Sequence, residues 1–237
     1  MVYASTSGTV GCSLDPSFEA TEDCGYCIEV VKKWPYYHSK IIAEQRAKAI
    51  AEQENVDLLC LRPSMLLGPW DLRCRSTHTV VSFLKRKIPF VPSGGISYVD
   101  VRDAAQAFKT AMLSSSLKGV RTYLLASANC SLQEFFGLLE SVSGQPKPRL
   151  RLSPFVARLL ANVLDKSNRY IRNRYNPGVD PVKAEMASHY WNIDSSAAKK
   201  DINFSPRDPR ETVMDTIQWI WEAKDAWGPL SMTSARL

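Results

Sequence analysis

No stretch of this sequence approaches the run of about 20 apolar residues that a membrane-spanning helix needs, so no transmembrane segment is expected. The opening residues, Met1-Val2-Tyr3-Ala4-Ser5-Thr6, lack the basic-plus-apolar pattern of a secretory leader, and the expected compartment is the cytoplasm. Paired metal-ligand spacing is missing as well. Six cysteines stand at 12, 24, 27, 60, 74 and 130. Cys24 and Cys27 make a C-x-x-C, but no second Cys or His pair follows at zinc-finger spacing. No metal is therefore expected, and the thiols read as reduced, as in a cytosol-like compartment. The basic residues are not interleaved with aromatics, so no nucleic-acid partner is expected. Internal repeats are absent.

What is present is an ordinary globular mixture. The 237 residues are 45% hydrophobic and 23% charged, enough for one substantial domain, or one domain with a smaller lobe. The net charge is +6. Much of the excess lies between Lys147 and Arg174, with Arg149, Arg151, Arg158, Lys166, Arg169 and Arg172 between them. Phe155, Val156, Leu159, Leu160, Val163 and Leu164 recur there at helical spacing. Such a helix could lie on an anionic membrane surface. The plainer reading is a helix that buries its apolar stripe in its own domain and solvates its basic face. The terminal Ala235-Arg236-Leu237 is a small-basic-leucine variant of a peroxisomal address, which makes peroxisomal import the alternative localisation.

Along the chain, strand and helix patterns alternate, the mark of a parallel sheet covered by helices. Val2-Tyr3-Ala4 reads as a strand that runs into a Ser/Thr/Gly turn, and residues 12–33 as a mixed loop. Pro35 suits the first position of a helix over about Tyr36–Gln53. Val56–Leu61 reads as a buried strand ended by Arg62-Pro63, with Gly68-Pro69 as the next turn. A helix near Thr77–Lys85 and a strand over Ser97–Val99 follow. Asp100 caps a helix through Met112. Thr122–Ala126 reads as a strand, and Ser131 with Glu134 as a capping box for a helix to Val142. The basic helix follows Ser153-Pro154, Asn176-Pro177-Gly178 breaks it, and Asp208-Pro209-Arg210-Glu211 starts the last helix.

The chemistry is concentrated in Tyr36-Tyr37-His38-Ser39-Lys40. Four residues apart on a helix, Tyr36 and Lys40 project from one face. A tyrosine with a pKa near 10 exchanges protons poorly at neutral pH, and a nearby ammonium lowers that value. The pair is then expected to move a proton to or from a hydroxyl or carbonyl oxygen. By itself the spacing is weak, because Tyr36 could simply pack while Lys40 points to water. Upstream, Tyr3-Ala4-Ser5-Thr6-Ser7-Gly8-Thr9-Val10-Gly11 puts a hydroxyl-rich turn after a strand, where open parallel sheets bind their ligands. Such a turn is more often only a turn. His38 lies off the Tyr36–Lys40 face and reads as packing or surface.

The order of strand, hydroxyl turn, Y-x-x-x-K helix, apolar strand and Arg62-Pro63-x4-Gly68-Pro69 resembles the extended short-chain dehydrogenase/reductases, also called the NAD-dependent epimerase/dehydratase family. Tyr98-Val99-Asp100-Val101-Arg102-Asp103-Ala104-Ala105 is close to a segment of that family. Tyr190-Trp191-Asn192-Ile193-Asp194-Ser195-Ser196 and Phe204-Ser205-Pro206-Arg207 resemble its C-terminal signature. Dihydroflavonol-reductase-like and sterol-dehydrogenase-like members are the nearest subgroup, and the likeness runs from residue 2 to about residue 222. The resemblance implies NAD or NADP as cofactor, a small-molecule substrate and a possible homodimer. It assigns Tyr36 as general acid/base and Lys40 as the residue that lowers its pKa and binds the nicotinamide ribose. Thr6 would be the hydroxyl partner, five residues before Gly11, with Ser5 and Ser7 as fallbacks. Ser5, Pro63, Ser64 and Met65 would border the cofactor, the last three along its carboxamide. Arg62 and Asp100 read as structural, in a buried pair and a cap.

One family element is absent. No G-x-x-G-x-x-G turn, whose backbone amides would hold the cofactor pyrophosphate, occurs in these residues. The expected fold is therefore α/β: the C-terminal part of a Rossmann-like doubly wound parallel sheet, over residues 1–128, with a smaller, mainly helical substrate lobe over 129–237. A truncated form of a longer protein is expected, one that binds NAD(P) poorly. The function implied is hydride transfer between nicotinamide and a carbonyl or secondary alcohol. The alternatives are a nucleotide-sugar epimerase or dehydratase, and a non-catalytic remnant that acts as a binding module.

Overall fold

The computed structural model describes residues 1–150, Val156 and residues 181–223. Within them the order is β1 (Val2–Ala4), a 3-10 turn (Ser7–Thr9), α1 (Ile28–Val31), α2 (Pro35–Gln53), β2 (Leu58–Pro63) and β3 (Met65–Leu67). Then follow α3 (His78–Leu84), β4 (Gly95–Asp100), α4 (Val101–Leu113), β5 (Val120–Leu125), β6 (Ala128–Ser131) and α5 (Leu132–Ser143). The helices α6 (Pro181–Met186), α7 (Ser196–Ile202) and α8 (Pro209–Glu222) complete the described chain.

β2 lies at the centre of a parallel sheet in the order β1-β2-β5, with Tyr3 beside Cys60 and Leu61 beside Tyr123. Every residue of β2 is buried, as expected of a continuous apolar run covered on both faces. The strand starts at Leu58 rather than Val56, which is exposed, and includes Arg62 and Pro63 instead of ending before them. Proline is tolerated there because its missing N–H faces the side on which β1 has already ended at Ala4, so no ladder hydrogen bond is lost. Against this sheet α4 lays Ala104, Ala107 and Ala111, small residues that let the helix axis come close to Leu59, Leu61 and Leu125.

The second sheet has the order β3-β4-β6. β3 runs parallel to β4, but β6 runs antiparallel to it, with Gly95 opposite Ser131. That pairing adds one antiparallel strand to the parallel strands expected. Ser127 makes the reversal, donating its N–H (2.9 Å) and its hydroxyl (3.0 Å) to the carbonyl of Tyr98. α5 and α8 pack on this sheet through Phe135, Phe136, Leu139, Val213 and Ile217.

The helix starts follow the local signals. Asp100 caps α4 on Arg102, Ser131 and Glu134 form a reciprocal capping box on α5, and Asp208 caps α8 ahead of Pro209. α5 ends on Gly144 at φ 70°, a left-handed cap. β3, β6, α1, α6 and α7 had no clear pattern in the sequence, being too short to show a period. Apart from Lys147–Leu150 and Val156, the basic 147–174 segment lies outside the described residues. So do the break at 176–178 and the terminal Ala235-Arg236-Leu237. Among the described residues no helix is long and apolar enough to cross a membrane.

Candidate active site

The candidate residues gather at the carboxyl end of β1. Leaving that strand, Ser5 still pairs with β2 through its N–H to the carbonyl of Leu61 (2.8 Å). Thr6 is the extended residue that caps the 3-10 turn, its Oγ1 accepting the Gly8 N–H at 3.4 Å. Ser5 and Ser7 are buried, whereas Thr6 is half-buried. Of the three hydroxyls, Thr6 is thus the one that keeps access to solvent.

α2 supplies the other pair. Pro35 is its first residue, and Trp34 precedes it in extended conformation. The N-terminus of the helix is anchored by an aromatic cluster. Trp34 and Tyr37 stand 5.9 and 5.1 Å from Trp191, centroid to centroid. Trp191 belongs to a segment that docks on the loop after the hydroxyl turn, through the bridges Ser13–Tyr190 and Ala20–Ile193. Gly8 makes this approach possible, since a Cβ there would stand 2.2 Å from Cε1 of Tyr37.

Tyr36 is 57% exposed, with its ring edge-on to Tyr37 at 5.1 Å. Lys40 donates from Nζ to the carbonyl of Ala4 at 3.3 Å, which ties the helix to the end of β1. The expected lowering of the Tyr36 pKa by Lys40 is not found. Partial burial pushes the Tyr36 phenol above its ordinary value, and the ammonium is engaged by a neutral carbonyl. His38 is half-buried on α2. Pro63 closes β2, Ser64 is buried with its N–H on the carbonyl of Leu125 (2.9 Å), and Met65 opens β3.

A residue that the sequence reading passed over sits at the centre. Glu44, one helical turn beyond Lys40, is 0% exposed. Arg62, 2% exposed, donates to it twice, from Nε to Oε2 (3.1 Å) and from Nη2 to Oε1 (2.7 Å). Tyr26 Oη donates to Oε1 at 3.1 Å, Lys48 Nζ stands 2.8 Å from the same oxygen, and the Ser5 hydroxyl donates to Oε2. Burial works against the Glu44 charge, but Arg62, Lys48 and Ser5 overcome it and hold the carboxyl at about 2. The sequence carried little signal for it: α2 has scarcely any apolar sidedness, Ile42 and Ile50 are exposed, and only tertiary packing buries Ile41, Glu44 and Ala51 on one stripe, where a carboxylate requires a partner.

Arg62 and Asp100 both serve structure, as expected. The Asp100 carboxylate is buried and accepts two hydrogen bonds from the Arg102 side chain, with Arg207 Nε 3.5 Å away. The six cysteines are free thiols, and Cys27 Sγ donates to the Gly8 carbonyl (3.5 Å). Two buried polar atoms beside the candidate site have no partner among the described residues, Arg62 Nη1 and Ser64 Oγ.

Residues 1–126 match the NAD dependent epimerase/dehydratase family. The chain belongs to that family. A putative dihydroflavonol 4-reductase of Synechocystis is 29% identical over 193 residues, 78% of this chain and 54% of that protein. Sterol demethylase protein B of Methylococcus capsulatus is 25% identical over 187 residues, 75% of this chain and 56% of that protein. The chain thus spans about half the length of the curated relatives it matches. Solved structures share the fold. A dTDP-glucose 4,6-dehydratase of Bacillus anthracis, in complex with NAD, superposes with a TM-score of 0.67 at 16% identity, over 97% of this chain and 64% of the other. Vestitone reductase from alfalfa does so with a TM-score of 0.64 at 17% identity, over 93% and 64%.

Proposed function

We propose that this family member carries the proton-transfer site of an NAD(P)-dependent oxidoreductase acting on a carbonyl or secondary alcohol. The observation that carries the reading is the meeting of three elements at the end of β1. Thr6 caps the turn there, and α2 brings Tyr36 and Lys40 on one face, with Lys40 Nζ on the Ala4 carbonyl. Ser64 fits a nicotinamide carboxamide chemically, because its hydroxyl keeps an unspent hydrogen bond. Ser5, Pro63 and Met65 would flank it. When bound, the nicotinamide supplies or accepts the hydride. The chain supplies the rest: Tyr36 Oη gives its proton to the substrate oxygen, Thr6 Oγ1 hydrogen-bonds that oxygen, and Lys40 Nζ orients the ribose. Tyr36 is protonated at neutral pH and so is loaded as the donor for reduction, while burial, by raising its pKa, makes it a weaker acid. Residues 1–128 would form the cofactor part and 129–237 the substrate lobe.

The test is turnover of a panel of aldehydes and ketones at saturating NADPH or NADH, comparing the chain with Tyr36→Phe. Loss of at least about 100-fold in kcat, with unchanged thermal stability, is expected. Equal turnover by the two proteins would overturn the reading. A nucleotide-sugar epimerase or dehydratase is the second reading, favoured by a threonine at position 6. Conversion of a nucleotide-sugar without net consumption of NAD(P) would support it instead.

A further inference from the structure

Four segments carry the candidate site: the turn at Ser5–Thr9, helix α2, the end of β2 at Arg62–Ser64, and the loop that contains Tyr26. Glu44 touches all four. It lies on α2 four residues after Lys40 and eight after Tyr36, so it shares their side of the helix. Its carboxylate receives Ser5 from the turn, Arg62 from β2, Tyr26 from the loop and Lys48 from its own helix.

The acceptor count limits what this carboxylate can do. Two carboxylate oxygens offer about four lone-pair sites. Here they receive five donor atoms: Ser5 Oγ, Tyr26 Oη, Arg62 Nε, Arg62 Nη2 and Lys48 Nζ. No capacity is left for a substrate proton or a metal ion. Full burial removes access as well. A general base or a ligand would need the opposite on both counts.

What remains is geometry. Ser5 immediately precedes Thr6, and its hydroxyl is spent on Glu44, so the Thr6 backbone is fixed relative to α2. Arg62 immediately precedes Pro63-Ser64, so the same carboxylate fixes that segment. Charge-assisted and bidentate bonds define angle as well as distance. We propose that Glu44 is the positioning residue of the site, holding Thr6, Tyr36, Lys40 and the Pro63–Met65 segment in register through Ser5 and Arg62. The proposal rests on the reading of Tyr36 and Lys40 as the reacting pair. It adds to that reading a residue that never meets substrate.

The experiment uses the full chain with Glu44→Gln, Ser5→Ala and Tyr26→Phe, the last two leaving no buried charge unpaired. Amide hydrogen exchange is measured by mass spectrometry, and kcat and KM by carbonyl reduction at saturating NADPH. In Glu44→Gln and Ser5→Ala, exchange over residues 5–11 is expected to quicken at least about tenfold, while α5 and α8 stay unchanged. In the same variants kcat is expected to fall at least about tenfold, with KM within about threefold, as small misplacements of reacting groups do. Should Glu44→Gln fail to fold, Ser5→Ala decides the matter, with the same quickening over residues 5–11 expected to a lesser degree in Tyr26→Phe. Unchanged exchange over 5–11, or equal loosening of α5 and α8, would overturn the proposal. Were Tyr36→Phe to turn over like the parent chain, the reading of the reacting pair would fall, and the exchange result would still stand on its own.

Discussion

Arg62 grips Glu44 with two parallel hydrogen bonds of 3.1 and 2.7 Å, and neither side chain is more than 3% exposed. The two residues lie 18 positions apart, one on a helix and one at the end of the central strand. Between them they join the outer layer of the fold to the middle of its sheet.

This pair predicts an acid limit to stability. The Glu44 carboxyl is lowered from 4.5 to about 2 on folding. A depressed carboxyl stabilises the fold fully above its unfolded value and loses that contribution as pH falls toward the folded one. Chemical unfolding followed from pH 6 to pH 2 is therefore expected to show stability falling below about pH 5. Glu44→Gln removes this dependence and costs about 3–5 kcal/mol at neutral pH, because Arg62 is left buried and unpaired. A variant with parental stability at pH 7 would contradict the account.

Tyr36 predicts a directional pH profile. Burial raises its phenol above 10, so the proton donor is fully loaded across the neutral range. Carbonyl reduction should be flat in kcat from pH 6 to 8, while alcohol oxidation, which needs the phenolate, should climb into the alkaline range. Steady-state rates in both directions check this. An oxidation rate that levels off below pH 8 would show that Tyr36 ionises more easily than its surroundings imply.

Gly94 is a packing position. A Cβ there would stand 2.3 Å from the carbonyl oxygen of Ala187 and 2.4 Å from that of His189. Both obstacles are backbone, so the strain cannot be relieved by a side-chain rotation. Gly94→Ala is expected to cost about 1–3 kcal/mol and to lower the melting temperature accordingly. The thermal midpoint by circular dichroism reads it directly, and an unchanged midpoint would mean that the 187–189 backbone yields.

Cofactor affinity follows from what the 237 residues contain. None of them forms a G-x-x-G-x-x-G turn, so the pyrophosphate lacks the backbone amides that usually hold it. Calorimetric titration of NADPH into the purified chain is expected to give a Kd weaker than about 1 µM. Tighter binding would show that other residues take over that task.

Local features were legible because they depend on neighbours a few residues away. The caps at Asp100, Ser131 and Asp208, the proline start of α2 and the buried run of β2 each follow from spacing and propensity alone. The ordered motifs from Thr6 through Tyr36, Lys40 and Pro63 were enough to identify the family. The tertiary structure alone decided which groups these residues meet. Lys40 reaches Ala4, not Tyr36, because α2 crosses the end of β1 at that height. Ser5, Tyr26 and Arg62 converge on Glu44 from separations of 39, 18 and 18 residues. β6 turns antiparallel because Ser127 finds Tyr98, 29 residues back. Sequence spacing sets which face of an element a side chain occupies. Only the packing of one element on another sets the partner that waits there, and with it whether a carboxylate such as Glu44 is ionised, buried and spoken for.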